Sequence, residues 1–464
     1  MRKIFVYLFL LFFASSCSFD NKSGIWTDGS KTVVSDIGDL EKNKNFPTSE
    51  LEDVFPTTKL YQEEQKVLSN IKIELNPIIK NKNWLETFLT NGNNIENINY
   101  TNTNRLIFKS SKLSKFSKLD YKKKKILVKP LVYNDNLISF DHKGSIYIYS
   151  IRDKKKIFEY NFYKKKFKRY KKNIYLSVSD ETIFVADNLG YVYALDIKTE
   201  KIVWAKNYGI PFRSNIKIAN NQIFLANQDN TIYSLNKKDG EKLWQFSTQP
   251  SFYITHFVNN LAVDKTNQNI FFLNTSGELY SINYMNRNIN WLLNFNKSAQ
   301  KTENEIFNGL PIVTNKKNLI ISNGAQLSNY SFTDNNVTWQ SSITSNIKPI
   351  ITKNNIFVVT NNNFLICLNT LSGEVVWSKN IIKYIQQTKK SWNFKKTGFI
   401  QNFAIADGVM LMFTSKGYLF SVELSSGDLI DLKKISRGGF GSVPIFSNGY
   451  LYVLDNNYKL LKYE

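Results

Sequence analysis

Few side chains in this 464-residue sequence have neighbours that could share chemistry with them. There are two histidines, His142 and His256, and two cysteines, Cys17 and Cys367. The histidines stand far apart, and neither lies at the spacing of a zinc site or beside a nucleophile it could activate. His142 falls in Asp141-His142-Lys143-Gly144, which reads as a turn. Cys367 falls in the alternating run Leu365-Ile366-Cys367-Leu368, where a small buried hydrophobe is expected. Carboxylates such as Asp196, Asp239 and Glu374 are scattered over turn positions, whereas Ca²⁺ needs converging oxygen ligands. Gly438-Gly439-Phe440-Gly441 has no helix after it to present a phosphate site, so it reads as a loop. The expectation is no catalytic residue, no metal and no cofactor. Cys17 is different. Arg2 and Lys3, then the apolar run Ile4 to Phe13, then Ala14-Ser15-Ser16 lead up to it. That is the layout of a secretory signal peptide, and its apolar stretch is too short to span a bilayer as a helix.

A cysteine placed directly after the small residues resembles the lipobox of bacterial lipoproteins, with Ala14 where that family usually has Leu. The resemblance implies cleavage before Cys17 and acylation of its thiol and amine. At about 0.8 kcal/mol per buried CH₂, several acyl chains make such an anchor effectively permanent. Ser18, not Asp, resembles the pattern of lipoproteins passed on to the outer membrane. Acylated Cys17 would leave Cys367 without a disulfide partner, so stability must come from packing. Residues 17–83 are polar, with single prolines and scattered charges, and read as a mostly disordered tether. Within them Tyr61 to Leu75 reads as a short helix. The expected organisation is a signal peptide at 1–16, the tether at 17–83 and a folded body at 84–464. The net charge of +23 is densest at Lys122–Lys125 and Lys164–Lys172. An exported protein rarely meets nucleic acid, so these runs read as a solvated face, with anionic head groups as the other candidate partner.

The body repeats itself. Asn230-TIYSLNKKDGEKL-Trp244 and Asn363-FLICLNTLSGEVV-Trp377 each run from Asn through an alternating strand and a turn to an aromatic. The same interval links Gly144 to Phe158, Gly190 to Trp204, Gly277 to Trp291 and Ala325 to Trp339. Gly417 to Asp431 keeps the frame without the aromatic, and an eighth copy starts at Asn457. Alternation puts successive side chains on opposite faces of a strand. Asp239-Gly240 and Ser372-Gly373 supply the positive φ of a tight turn, and the aromatic can wedge between sheets. A second strand precedes each copy, as in Gln222-IFLAN-Gln228, so each unit is a four-stranded antiparallel sheet. Repeated around an axis, such sheets form an all-β, eight-bladed propeller, with seven blades the alternative if the Ala325 copy is not one. The eighth copy lacks an outer strand. Residues 105–113 can supply it from the N-terminal side, with Phe108 in the place of the missing aromatic, and so close the ring.

The strand-turn-Trp unit resembles the PQQ-like repeat, shared by quinoprotein dehydrogenases and by proteins that are not enzymes. The ordered set is similar to the BamB family, lipoproteins of the machinery that inserts β-barrel proteins into the outer membrane. It comprises the lipobox, the tether, eight copies, the seventh without Trp, and the ending Ser436-RGGFGSVPIFSNGYLYVLDNNYKLLKY. Glu305-IFNGLPIV and Ile347-KPIITKNNIFVVTNNN also match, as does Trp84…Gly92-Asn93 more weakly. The resemblance implies a periplasm-facing scaffold that docks on the POTRA domains of BamA, joins the other BAM components and serves outer-membrane β-barrel clients. It places the contact on loops corresponding to Tyr253, Ile254 and His256, and to Glu303 and Glu305, without the family's arginine. Two other readings stay open. A PQQ-dependent dehydrogenase would need a cofactor funnel with Ca²⁺ ligands, and a propeller binding a small ligand or peptidoglycan would need a cluster on its axis.

Overall fold

Runs such as Ile232-Tyr233-Ser234-Leu235 become strands because alternation suits a pleated sheet, and they become buried on both faces because sheets stack on either side. The computed structural model describes residues 61–66, 72–114, 127–167, 170–249, 258–295, 307–323, 326–345, 347–388 and 394–464. It also gives the backbone of two short antiparallel strands, Cys17–Phe19 and Trp26–Asp28. Met1–Thr57 and Thr58–Glu464 are separate compact units. Within the second, eight four-stranded antiparallel sheets follow one another and make the eight-bladed propeller. Blades 1 to 7 span residues 131–161, 174–207, 217–247, 260–294, 313–341, 350–380 and 400–434. Blade 8 takes three strands from residues 445–463 and its outer strand from Leu106–Lys112.

The Ala325 copy does form a sheet, blade 5, although its innermost strand is only Val313–Thr314. The eighth copy begins one residue later than its sequence suggests. Its left-handed residue is Tyr458 (φ 58°), where the other copies have Gly144, Gly190, Asn230, Gly277, Asn363 and Gly417. The cause is an Asx turn. The Asp455 carboxylate accepts hydrogen bonds from the backbone N–H of Asn457 and Lys459, so the turn residue falls at 458. Asp141, Asp187, Asn227 and Asn274 do the same in blades 1 to 4. Residues 61–66 and 72–75 are not helical; Gln65 instead pairs with Ser378 on the outer strand of blade 6. Proximity to that edge outweighs a weak local helical pattern.

Apolar clusters fill the spaces between neighbouring blades, one between blades 2 and 3, the next between 3 and 4, and so on around the ring. A β-bulge in each outer strand sets the aim of the aromatic beside it, as at Leu243, next to Trp244 and opposite Ser234 and Leu235. Trp204 donates from Nε1 to the carbonyl of Lys237 in the next blade at 3.1 Å. Its ring lies against Gly240, where an added Cβ would stand 2.5 Å from it. Gly240 is thus required twice, by its φ of +70° and by the ring. Trp339 makes the same reach to Thr370, at 2.9 Å. Trp377 lies against Gly427, Trp244 against Phe224, and Trp291 packs on Tyr330 with centroids 4.4 Å apart. Phe158 stacks with Tyr160, while Asp431 at the same place in blade 7 is exposed. Phe108 follows a bulge at Ile107, pairs with Lys462 and stacks on Tyr149 of blade 1.

Candidate functional site

The ring has two ends, and residues 81–98 close one of them. This segment visits every blade in order along the innermost strands, in most of them toward the C-terminal end. In blade 8, Asn448 N–H donates to the carbonyl of Asn81, and the Ser447 hydroxyl to that of Lys82. Trp84 exchanges two backbone bonds with Val132 of blade 1, and Val178 N–H of blade 2 donates to the carbonyl of Leu85. Glu86 meets Lys217 of blade 3. Val263 N–H of blade 4 and Thr314 N–H of blade 5 donate to the carbonyls of Asn91 and Gly92. Asn94 bonds Ile351 of blade 6 through both amide atoms. Ile98 pairs with Ala406 of blade 7. Gly92 is needed for its approach, since a Cβ there would stand 2.7 Å from the Thr314 carbonyl.

The Glu86–Lys217 pair is buried, with Nζ to Oε2 at 3.0 Å and the lysine side chain 1% exposed. Lys217 also donates to Asn93 Oδ1 at 2.6 Å and to the Thr90 carbonyl at 3.3 Å. Burial raises the Glu86 pKa against the pull of Lys217, and burial lowers that of Lys217. Every proton of the ammonium thus has an acceptor. That is how a buried pair becomes tolerable, and it leaves no free group for proton transfer.

Beneath this cap lies an axial cavity of about 350 Å³. Trp84, Thr87, Phe88 and Ile95 of the cap line it together with the beginnings of inner strands from blades 1, 5, 6, 7 and 8. Phe88 reaches between two lysines, with Lys129 Nζ 5.7 Å and Lys348 Nζ 5.6 Å from its ring centroid. Lys129 also donates to Asn215 Oδ1 at 3.2 Å, and Lys348 to the Pro349 carbonyl at 3.2 Å. Among the described residues neither pairs with a carboxylate. Burial, with the Lys217 charge second, pushes Lys129 down to about 8 and Lys348 down to about 7. A second recess shares Leu127, Ile347 and Gln401 with the cavity and continues it away from the cap.

The two lysines carry a sequence signal that the repeat analysis passes over. Lys129-Pro130, Lys348-Pro349 and Val443-Pro444 each begin an inner strand, and in each the residue before proline lines the cavity. Proline is tolerated there because it stands just before an edge strand, where the ladder loses no hydrogen bond to its missing N–H.

At the uncapped end the outer strand of each blade connects to the inner strand of the next. The connections from blade 3 to 4 and from blade 4 to 5 start and finish there. Their middles, with Tyr253, Ile254, His256, Glu303 and Glu305, lie outside the described residues, as does the side chain of Cys17. Cys367 is fully buried opposite Trp377, and burial pushes its thiol up to about 12. Among the described residues no three His, Cys, Asp or Glu side chains converge, and no helix is long and apolar enough to cross a membrane. The cavity's donor set is two ammoniums and the amides of Gln401 and Asn402, which does not fit Ca²⁺.

The profile of the family described as outer membrane protein assembly factor BamB matches residues 142–379, from the first blade into the sixth. The chain belongs to this family. The BamB of Yersinia pestis is 19% identical over 322 residues, covering 59% of this chain and 79% of that one. The BamB of Shewanella oneidensis is 20% identical over 326 residues, covering 60% and 81%. The crystal structure of BamB from Moraxella catarrhalis superposes with a TM-score of 0.60 at 14% identity, over 78% of this chain and 99% of that one. A europium-containing methanol dehydrogenase superposes at 0.58 with 11% identity, over 80% and 89%. At such identities these two structures speak for the fold alone, and the fold is common to BamB and to enzymes.

Proposed function

We propose that this chain is a non-catalytic scaffold of the β-barrel assembly machinery, bound to the outer membrane through acyl chains on Cys17 and facing the periplasm. Membership of the BamB family carries the reading. Docking on the periplasmic POTRA domains of BamA would use the uncapped end, through the loops holding Tyr253, Ile254 and His256 and holding Glu303 and Glu305. Two features support this. The cap occupies the opposite end, and the two loops leave adjacent blades on one face. No cofactor is required, and other BAM components and β-barrel clients would share the ring's surface.

Purified protein should bind the periplasmic domains of its own organism's BamA with nothing added. Absence of binding, with a redox cofactor retained instead, would overturn the reading. Cys17→Ser should move the protein out of the membrane fraction and abolish fatty-acid labelling; a variant still membrane-bound after a salt wash would refute the anchor.

A further inference from the structure

We infer that the axial cavity beneath the cap is a binding site for a small organic anion with an apolar or aromatic body, its charge held between Lys129 and Lys348. The docking reading neither requires nor excludes it, since the cavity lies inside the ring. Four observations converge. The volume of about 350 Å³ falls at the lower end of small-molecule sites. The wall is divided as such ligands demand, with Trp84, Phe88, Phe403 and Phe446 for an apolar body and Gln401 and Asn402 as orienting amides. Two ammoniums from blades 1 and 6 face one aromatic ring of the cap. No described carboxylate neutralises either of them, whereas Lys217, two blades round from Lys129, has Glu86.

That contrast gives the argument its force. An unpaired ammonium inside a protein is costly, and a chain that needed only packing at these positions would place Leu or Val there, as it does at Leu310 and Val443. An incoming anion would supply the missing partner through charge-assisted hydrogen bonds in a place of low dielectric. The other charged groups near the axis, Glu86, Lys217 and Lys265, already interact with one another. The depressed lysines would regain protons as the anion enters, so binding near pH 8 should take protons up.

The test is calorimetric titration of the full chain with 1-naphthoate, 1-naphthyl phosphate and the uncharged 1-naphthamide. One anion per chain should bind, weakening with salt, while the amide binds at least about tenfold more weakly, the loss of one charge-assisted contact. The stronger of the two anions then assigns the natural ligand to the carboxylates or to the phosphate esters. Titration in two buffers of different ionisation enthalpy should reveal proton uptake. The double variant Lys129→Gln, Lys348→Gln should lose the preference for anions over the amide, with its thermal unfolding recorded alongside. If that variant does not fold, the wild-type comparison of anion with amide and the proton uptake still decide. Equal binding of all three compounds, no binding of either anion, or binding without proton uptake would each overturn the proposal.

Discussion

At the capped end each innermost strand runs into a partner from residues 81–98, and eight blades are tied by one short segment. At the other end the innermost strands of blades 1, 5, 6, 7 and 8 begin beside a cavity whose two lysines pair with no described carboxylate. The difference lies in where polar groups find satisfaction. The cap is rich in asparagine because each strand end presents a backbone group that needs a donor or an acceptor, and an amide offers both. At the uncapped end such groups are satisfied close by, through Asx turns such as those of Asp141 and Asp455 and through hydroxyls such as Ser345 and Ser442. One segment joins the blades at the capped end, whereas at the other end each blade's turns supply their own partners.

The comparison can be broken first at the closing strand. Deleting residues 105–113 removes the outer strand of blade 8, Phe108 and the Arg105–Glu464 ion pair, and exposes the edge of Lys459–Tyr463. Calorimetry should show loss of the single cooperative transition; an unchanged melting temperature would mean that the ring is closed elsewhere. Next in size is Glu86→Ala at the cap, which strands the Lys217 ammonium in the interior. The expected loss is about 3–5 kcal/mol by denaturant unfolding, and a loss under about 1 kcal/mol would show that the cap is not a structural tie.

A smaller effect of opposite sign is expected at the other end. Lys348 titrates at about 7 in the folded chain and near 10.5 when unfolded. Between those values the unfolded chain holds a proton that the folded chain has released, so stability should rise as pH increases from about 7 to 9. Lys348→Met should be at least as stable as wild type at pH 7 and should flatten that rise. A variant less stable at pH 7 would mean that the ammonium is already compensated. The smallest effect belongs to the rim. Glu303→Lys with Glu305→Lys should weaken binding to the BamA periplasmic domains by less than about tenfold, mainly through the on-rate, and Lys123→Glu with Lys124→Glu should change it less. Binding unaffected by the glutamate pair would move the interface off this rim.

Much of the architecture could be read before any coordinate was known, because it is local. A strand-turn-strand unit of 14-residue interval, with Gly at the turn and Trp after it, contains its own instructions: alternation for the pleat, positive φ for the turn and an aromatic for the gap. The same locality explains the one-residue error in the eighth copy. Asn457 matches Asn230 and Asn363 by residue type, but the Asp455 side chain decides which residue turns, and that choice shows only in the hydrogen bonds.

The axis was not local in this sense. Lys129 and Lys348 belong to blades far apart in the chain and meet around Phe88 only because the ring closes. Their shared Lys-Pro setting is visible in the sequence, but nothing in it says that the two face one cavity. The cap is similar: Trp84, Gly92 and Asn93 stand out as residue types, yet only the circle of strand ends shows what each asparagine satisfies. The sequence by itself determined the blade, since a repeat unit folds on contacts within about forty residues. Tertiary structure alone decided the cap and the cavity, because both are made of contacts that exist only after eight blades have come round to meet the first.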